Sequence, residues 1–154
     1  MNLDQQVQSL IDGAPDAESR TSVTAIAPIL QQFAATLPHI TYYICQSPQG
    51  EWVITTLRNQ HKPNLEIQVM YAFASVEDVR EFNSGLLANS LAIEVPVIQL
   101  IFYLLAFPEI DRLVFLNDRD NLDRGQEITR DSLEESIARK LDRDRSFELP
   151  PDVC

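Results

Sequence analysis

Glycine is scarce in this chain: Gly13, Gly50, Gly85 and Gly125 are the only four in 154 residues. They lie far apart, so no loop is rich enough in bare backbone to cradle a phosphate, and G-x-G-x-x-G and Walker-type sites are excluded. Histidine is scarcer still. Neither His39 nor His61 has a second His, Cys or acid at ligand spacing, and both read as surface-loop residues rather than as a general base or metal ligand. The two cysteines are Cys45, in an apolar strand-like run, and Cys154, the last residue, which together make no disulfide framework. A buried Cys45 behaves as a small hydrophobe and suits a reducing compartment. No G-x-S-x-G run is present, and Cys45 has no basic neighbour in sequence to activate it.

Positive charge is also in short supply. Lys and Arg number 12 against 23 Asp and Glu, giving a net charge of −11 and a pI near 4.4. Nonspecific nucleic-acid affinity comes from Lys and Arg displacing counterions. This balance therefore excludes nucleic acid as a partner and repels anionic lipid, while leaving room for a basic one. The acids are spread along the chain, net −6 over residues 1–108 and net −5 over residues 109–154, so charge marks no domain boundary. Long hydrophobic runs are missing as well. Residues 95–107 (VPVIQLIFYLLAF) are broken by Gln99, where a membrane span needs about 20 apolar residues. Residues 1–14 have neither a basic start nor an apolar core segment, so no secretory signal is read and a cytoplasmic location is expected.

What is present is a globular composition, 45% hydrophobic and 23% charged, at the length of one domain. Leu3, Val7, Leu10 and Ile11 fall at helical spacing, and Gly13 with Pro15 stops that helix. A second helix is predicted over residues 17–36, with Val23, Ile26, Leu30, Phe33 and Leu37 as its stripe and Pro28 kinking it or restarting it. The period then changes to two. Residues 40–46, 51–58 and 65–73 read as three strands, with a turn at Ser47-Pro48-Gln49-Gly50, and so as an antiparallel meander. In the third strand Leu65, Ile67, Val69 and Tyr71 alternate with Glu66 and Gln68, which predicts one covered face. Ser75 caps a short helix, and residues 91–95 make a brief extended segment. Pro96 opens an apolar helix that Pro108 ends. Residues 110–117, apolar on both faces, predict a fourth strand inside the sheet. Residues 117–126 form a polar loop, and Thr129 or Asp131 caps a last helix that ends near Arg145. This order predicts an α+β fold: a three-stranded meander and a fourth later strand packed by N-terminal, central and C-terminal helices. Residues 1–145 form one domain, and residues 146–154 form a mobile tail.

The texture of Thr41-Tyr42-Tyr43-Ile44, of Glu51-Trp52-Val53-Ile54-Thr55-Thr56-Leu57, and of Glu127-Ile128 leading into a Gln/Arg/acid helix resembles a family of small soluble proteins of cyanobacteria. The resemblance implies a cytoplasmic bacterial protein and brings no activity or site residues. The order of elements resembles the fold of type III secretion chaperones.

Two functional readings follow. The first is a non-catalytic protein-interaction, assembly or chaperone-like module with no cofactor and no metal. Tyr42 and Tyr43 are adjacent, so in a strand they face opposite ways, and one of them is exposed if a single face is covered. Tyr43 and Trp52 are its candidate surface residues, and Phe147 and Leu149 in the tail are candidates for a docking peptide. The partner is a protein, and the apolar helix 96–107 offers a homodimer interface as an alternative. The second reading is an enzyme or small-ligand binder. Its site is Asp118, Arg119, Asp120 and Asp123, at the end of the fourth strand, with Glu94 as a weaker candidate. That loop fails the EF-hand pattern, since Leu122, Asp123 and Thr129 stand at the fifth, sixth and twelfth positions counted from Asp118.

Overall fold

In the computed structural model residues 2–58, 61, 65–82, 91–116 and 125–148 are described, residue 82 and residues 144–148 by their backbone alone. The chain begins with helix α1 (Leu3–Asp12), which starts at a reciprocal capping box. The Asn2 side chain accepts the Gln5 N–H at 2.8 Å, and the Gln5 side chain accepts the Asn2 N–H at 2.9 Å. Helix α1 stops at Gly13, as its sequence predicts. Asp16 caps α2 (Ala17–Ala35), accepting the Ser19 N–H at 2.7 Å. That bond draws the Asp16 carboxyl below its ordinary pKa. Helix α2 runs unbroken through Pro28, which sits on its exposed side, while Val23, Ala27, Ile29, Leu30 and Ala34 face inward.

The strands are β1 (Thr41–Gln46), β2 (Thr55–Arg58), β3 (Glu66–Phe73), β4 (Leu91–Pro96), β5 (Arg112–Leu116) and β6 (Gln126–Thr129). The other helices are α3 (Val76–Phe82), α4 (Val97–Ala106) and α5 (Arg130–Glu148). Among the described residues these make an α+β fold around one mixed sheet of six strands. The order along the sheet is β4-β1-β3-β5-β6, with β2 also paired to β3.

The expected meander is present in a split form. The turn after β1 closes as predicted, with Gly50 at φ 84°, a left-handed conformation that glycine adopts without steric cost. Trp52 bridges back to Gln46, but the returning chain becomes a strand only at Thr55, later than the predicted residue 51. There β2 lies on the first half of β3, Thr55 opposite Val69 through Arg58 opposite Glu66. β1 meets β3 directly at Tyr43 opposite Phe73. β2 is thus a wedge on an edge of β3 that β1 shares.

Three further features differ from the sequence expectation. Residues 91–96 are a full strand, antiparallel to β1 from Thr41↔Pro96 to Gln46↔Leu91. The predicted interior strand, β5, is interior, but it runs parallel to β3, a pairing that needs the long crossover through α3, β4 and α4. Beyond it a short strand, β6, pairs antiparallel to β5 where the sequence suggests only a loop and a helix cap. A Cβ on Gly125 would stand 2.9 Å from Val114 Cγ1, so β6 approaches β5 where only glycine fits.

Both faces of the sheet are covered. On one lie α1, α2, α4 and α5, which pack on one another and bury Tyr42, Ile44, Met70, Ala72, Leu113, Phe115 and Ile128. Tyr42 is fully buried, its ring edge-on to Phe115 at 4.9 Å, and burial pushes its hydroxyl pKa up to about 12. On the other face the seven-residue α3 packs on β1, β3 and β4, and Cys45, Phe73, Val79 and Leu116 form a second, smaller core. The Ser75 hydroxyl accepts the Asp78 N–H at 3.2 Å, the predicted cap of α3. One covered face therefore does not describe β3: Leu65 is exposed, and Ile67 and Gln68 are both half-buried. In its second half Met70 and Ala72 reach the helical layer while Phe73 enters the core under α3.

The helical layer is locked by two polar residues. Gln6 of α1 is buried; its Nε2 donates to the Ile40 carbonyl at 2.8 Å and its Oε1 accepts the Ile98 N–H at 3.1 Å. Pro96 supplies no side-chain cap to α4, so Gln6 caps that helix from α1. At the opposite end of α4 the Arg130 guanidinium donates to the carbonyls of Phe107 and Ile110. A cation at a helix C-terminus also opposes the negative end of the helix dipole. Thr129 caps α5, its hydroxyl accepting the Ser132 N–H at 3.1 Å. Helix α5 continues to Glu148, past the predicted end near Arg145.

Candidate functional site

Gln6, Ser9, Leu10 and Gly13 fall at i, i+3, i+4 and i+7 on α1, so they share one stripe. Gln99, Phe102, Tyr103 and Ala106 repeat the spacing on α4. The two helices pack side by side, and these stripes form the walls of a groove of about 410 Å³. Pro96 and Phe107 also line it. Ser9, Gly13, Gln99, Ala106 and Phe107 are exposed, so the groove is open to solvent along its length. Small side chains at Ser9, Gly13 and Ala106 let a bound group approach the helix backbones.

An aromatic stack flanks the groove. Tyr103 and Phe107 are four residues apart on one side of α4, with ring centroids 3.9 Å apart and planes 26° apart. Trp52 reaches the same tyrosine from the hairpin after β1, centroids 4.2 Å apart and planes 32° apart. Tyr103 is the ring common to both contacts. Its hydroxyl pKa is raised first by burial, then by the negative charges of Glu109 and Glu51. Both carboxylates are exposed: Glu51 precedes Trp52 in the chain, and Glu109 follows Phe107 by two residues. The groove is thus apolar and aromatic, with amide and hydroxyl groups on its walls and carboxylates near one end.

The residues expected from sequence are distributed as follows. Trp52 belongs to this stack and packs against the main core. Tyr43 lies on the opposite face of the sheet, half-buried against the smaller core. Its hydroxyl donates to Glu94 Oε2 at 2.9 Å, and that bond, followed by the carboxylate charge and burial, raises its pKa. Tyr43 and Trp52 are therefore separate features, and Glu94 is Tyr43's partner across the β1–β4 pair. The backbone of Phe147 is in the last turn of α5. The Phe147 side chain, Leu149, Asp118, Arg119, Asp120 and Asp123 lie outside the described residues. His39 and His61 are exposed, as expected, and His39 lies edge-on to Tyr42 at 5.5 Å. Among the described residues no group of three His, Cys, Asp or Glu side chains could hold a metal ion. No described helix is long and apolar enough to cross a membrane.

Sequence reasoning finds Trp52 but misses both helical walls of this site. The run 97–106 is so apolar that it reads as wholly interior, and Val97, Ile98, Leu100, Ile101 and Leu104 are indeed buried. The available signal is Gln99 together with the Tyr103–Phe107 pair four residues apart, which mark the side of α4 that meets water. Comparison of the chain with protein-family models, with curated proteins and with solved structures found no match.

Proposed function

We propose that the chain is a non-catalytic protein-interaction module, of assembly or chaperone-like kind in a bacterial cytoplasm, and that a partner segment docks in the groove between α1 and α4. One observation carries the reading: an apolar, solvent-open groove bounded by two helical stripes, with the rings of Tyr103 and Phe107 on its wall and Trp52 stacked on Tyr103. Aromatic side chains offer large contact area at small cost in rotamer freedom, which is why they are enriched in interface cores. Two stripes at helical spacing suit a segment laid between them.

The test is site-specific photo-crosslinking in cell extract. A photoreactive amino acid replaces Ser9 or Gln99 in the groove, or Glu135 on exposed α5 as the control. Discrete crosslinked polypeptides at both groove positions and none at Glu135 support docking. The same products at all three positions, or none at the groove positions, overturn it.

A further inference from the structure

Resting on the docking reading, we infer that the occupant of the groove is an amphipathic helical segment of a partner protein that carries Lys or Arg beside its apolar anchors.

The helical shape follows from the walls. Gln6 to Gly13 and Gln99 to Ala106 each present the i, i+3, i+4, i+7 spacing of about two helical turns. A groove between two side-by-side helices accepts the ridge of a third, whose anchors recur at that same spacing. An extended segment would find no strand edge on α1 or α4 to pair with.

The basic character follows from the rim. Glu51 and Glu109 are close enough to Tyr103 to act on its hydroxyl, and both are exposed. Arg130, which reaches the Phe107 carbonyl, is occupied by that carbonyl, by the Ile110 carbonyl and by Glu134 at 3.6 Å. Phe107 leaves 38% of its surface open, which provides a π face on which a guanidinium or ammonium gains cation–π attraction. The net charge of −11 draws such a segment in from a distance and repels acidic competitors.

The chain's single tryptophan is Trp52, so intrinsic fluorescence reports on the groove. The full-length chain is titrated with a synthetic helix-forming peptide bearing leucines at i, i+3, i+4 and i+7 and lysine flanks, and with a matched peptide whose flanks are glutamate. The basic peptide is expected to shift Trp52 emission saturably, with the acidic one binding about tenfold or more weakly. The double variant Glu51→Gln, Glu109→Gln should lose about five- to tenfold in affinity for the basic peptide at low salt. Its unfolding midpoint should not fall, which excludes misfolding as the cause.

Equal binding of both peptides, or an unaffected double variant, overturns the basic-helix inference while groove crosslinks keep the docking reading standing. Absence of any Trp52 response to either peptide also overturns the inference. A chain whose mass in solution rises with concentration in step with a Trp52 shift places a second copy in the groove, and that overturns it too.

Discussion

Gln6 illustrates how one polar side chain organises an apolar layer. Buried amides persist where both ends are hydrogen-bonded, and Gln6 satisfies the Ile98 N–H with one atom and the Ile40 carbonyl with the other. The Ile40 carbonyl also accepts the Val97 N–H at 2.9 Å, so α1, the start of β1 and the start of α4 meet at one point. Gln6→Leu preserves the side-chain volume but leaves the Ile98 N–H buried and unpaired. Urea unfolding should show a loss of about 1–3 kcal/mol, against less than about 0.5 kcal/mol for Gln8→Ala on the exposed side of α1. Equal effects at the two positions would mean that Gln6 contributes nothing beyond its bulk. Nothing in the sequence singles out Gln6, because its partners are 34 and 92 positions away.

Among the elements, α2 carries an unusual internal cost. Pro28 removes the N–H that would reach the Thr24 carbonyl, and its ring crowds that turn, yet the helix continues because Val23, Ala27, Leu30 and Ala34 are held in the core. Pro28→Ala restores the hydrogen bond. Against that gain stands the greater freedom of the unfolded alanine chain, worth about 0.4–1 kcal/mol. A net stabilisation of about 1–2 kcal/mol is expected, read as a rise of several degrees in the thermal midpoint. A fall would show that the proline's kink is needed to seat Ile29 and Leu30. The sequence predicts a kink or a restart at Pro28. The helix is continuous from Ala17 to Ala35, so packing rules out the restart.

For the whole molecule the governing quantity is charge. The visible ion pairs are largely at the surface: Arg58 with Glu66 at 3.0 Å, and Arg139 with Glu135 along α5. Such pairs contribute little. A net charge of −11 on a domain of this size means that self-repulsion outweighs them. Raising ionic strength from about 0.05 to 0.5 M shortens the Debye length from roughly 14 Å to 4 Å, so the thermal midpoint should rise by a few degrees. A falling midpoint in a sodium chloride series would show that attractive pairs dominate. The same salt should weaken the basic peptide in the groove, so stability and partner affinity are expected to move in opposite directions.

What the sequence determined by itself is local. The helix stop at Gly13, the cap at Ser75, the turn through Gly50, the apolar α4 and the α+β order of elements all depend on residues within about one helical turn or one hairpin of each other. Tertiary structure decided which distant pieces meet. It set β5 parallel to β3, added β4 and β6 to the sheet, and placed Tyr43 and Trp52 on opposite faces. It also brought Trp52 onto Tyr103, and α1 beside α4, to leave the groove. The physical reason is range. Helical periodicity and capping are settled by neighbours a few residues apart. Strand partners, register and groove walls are settled by which apolar faces can be buried together, and that is a property of the whole chain.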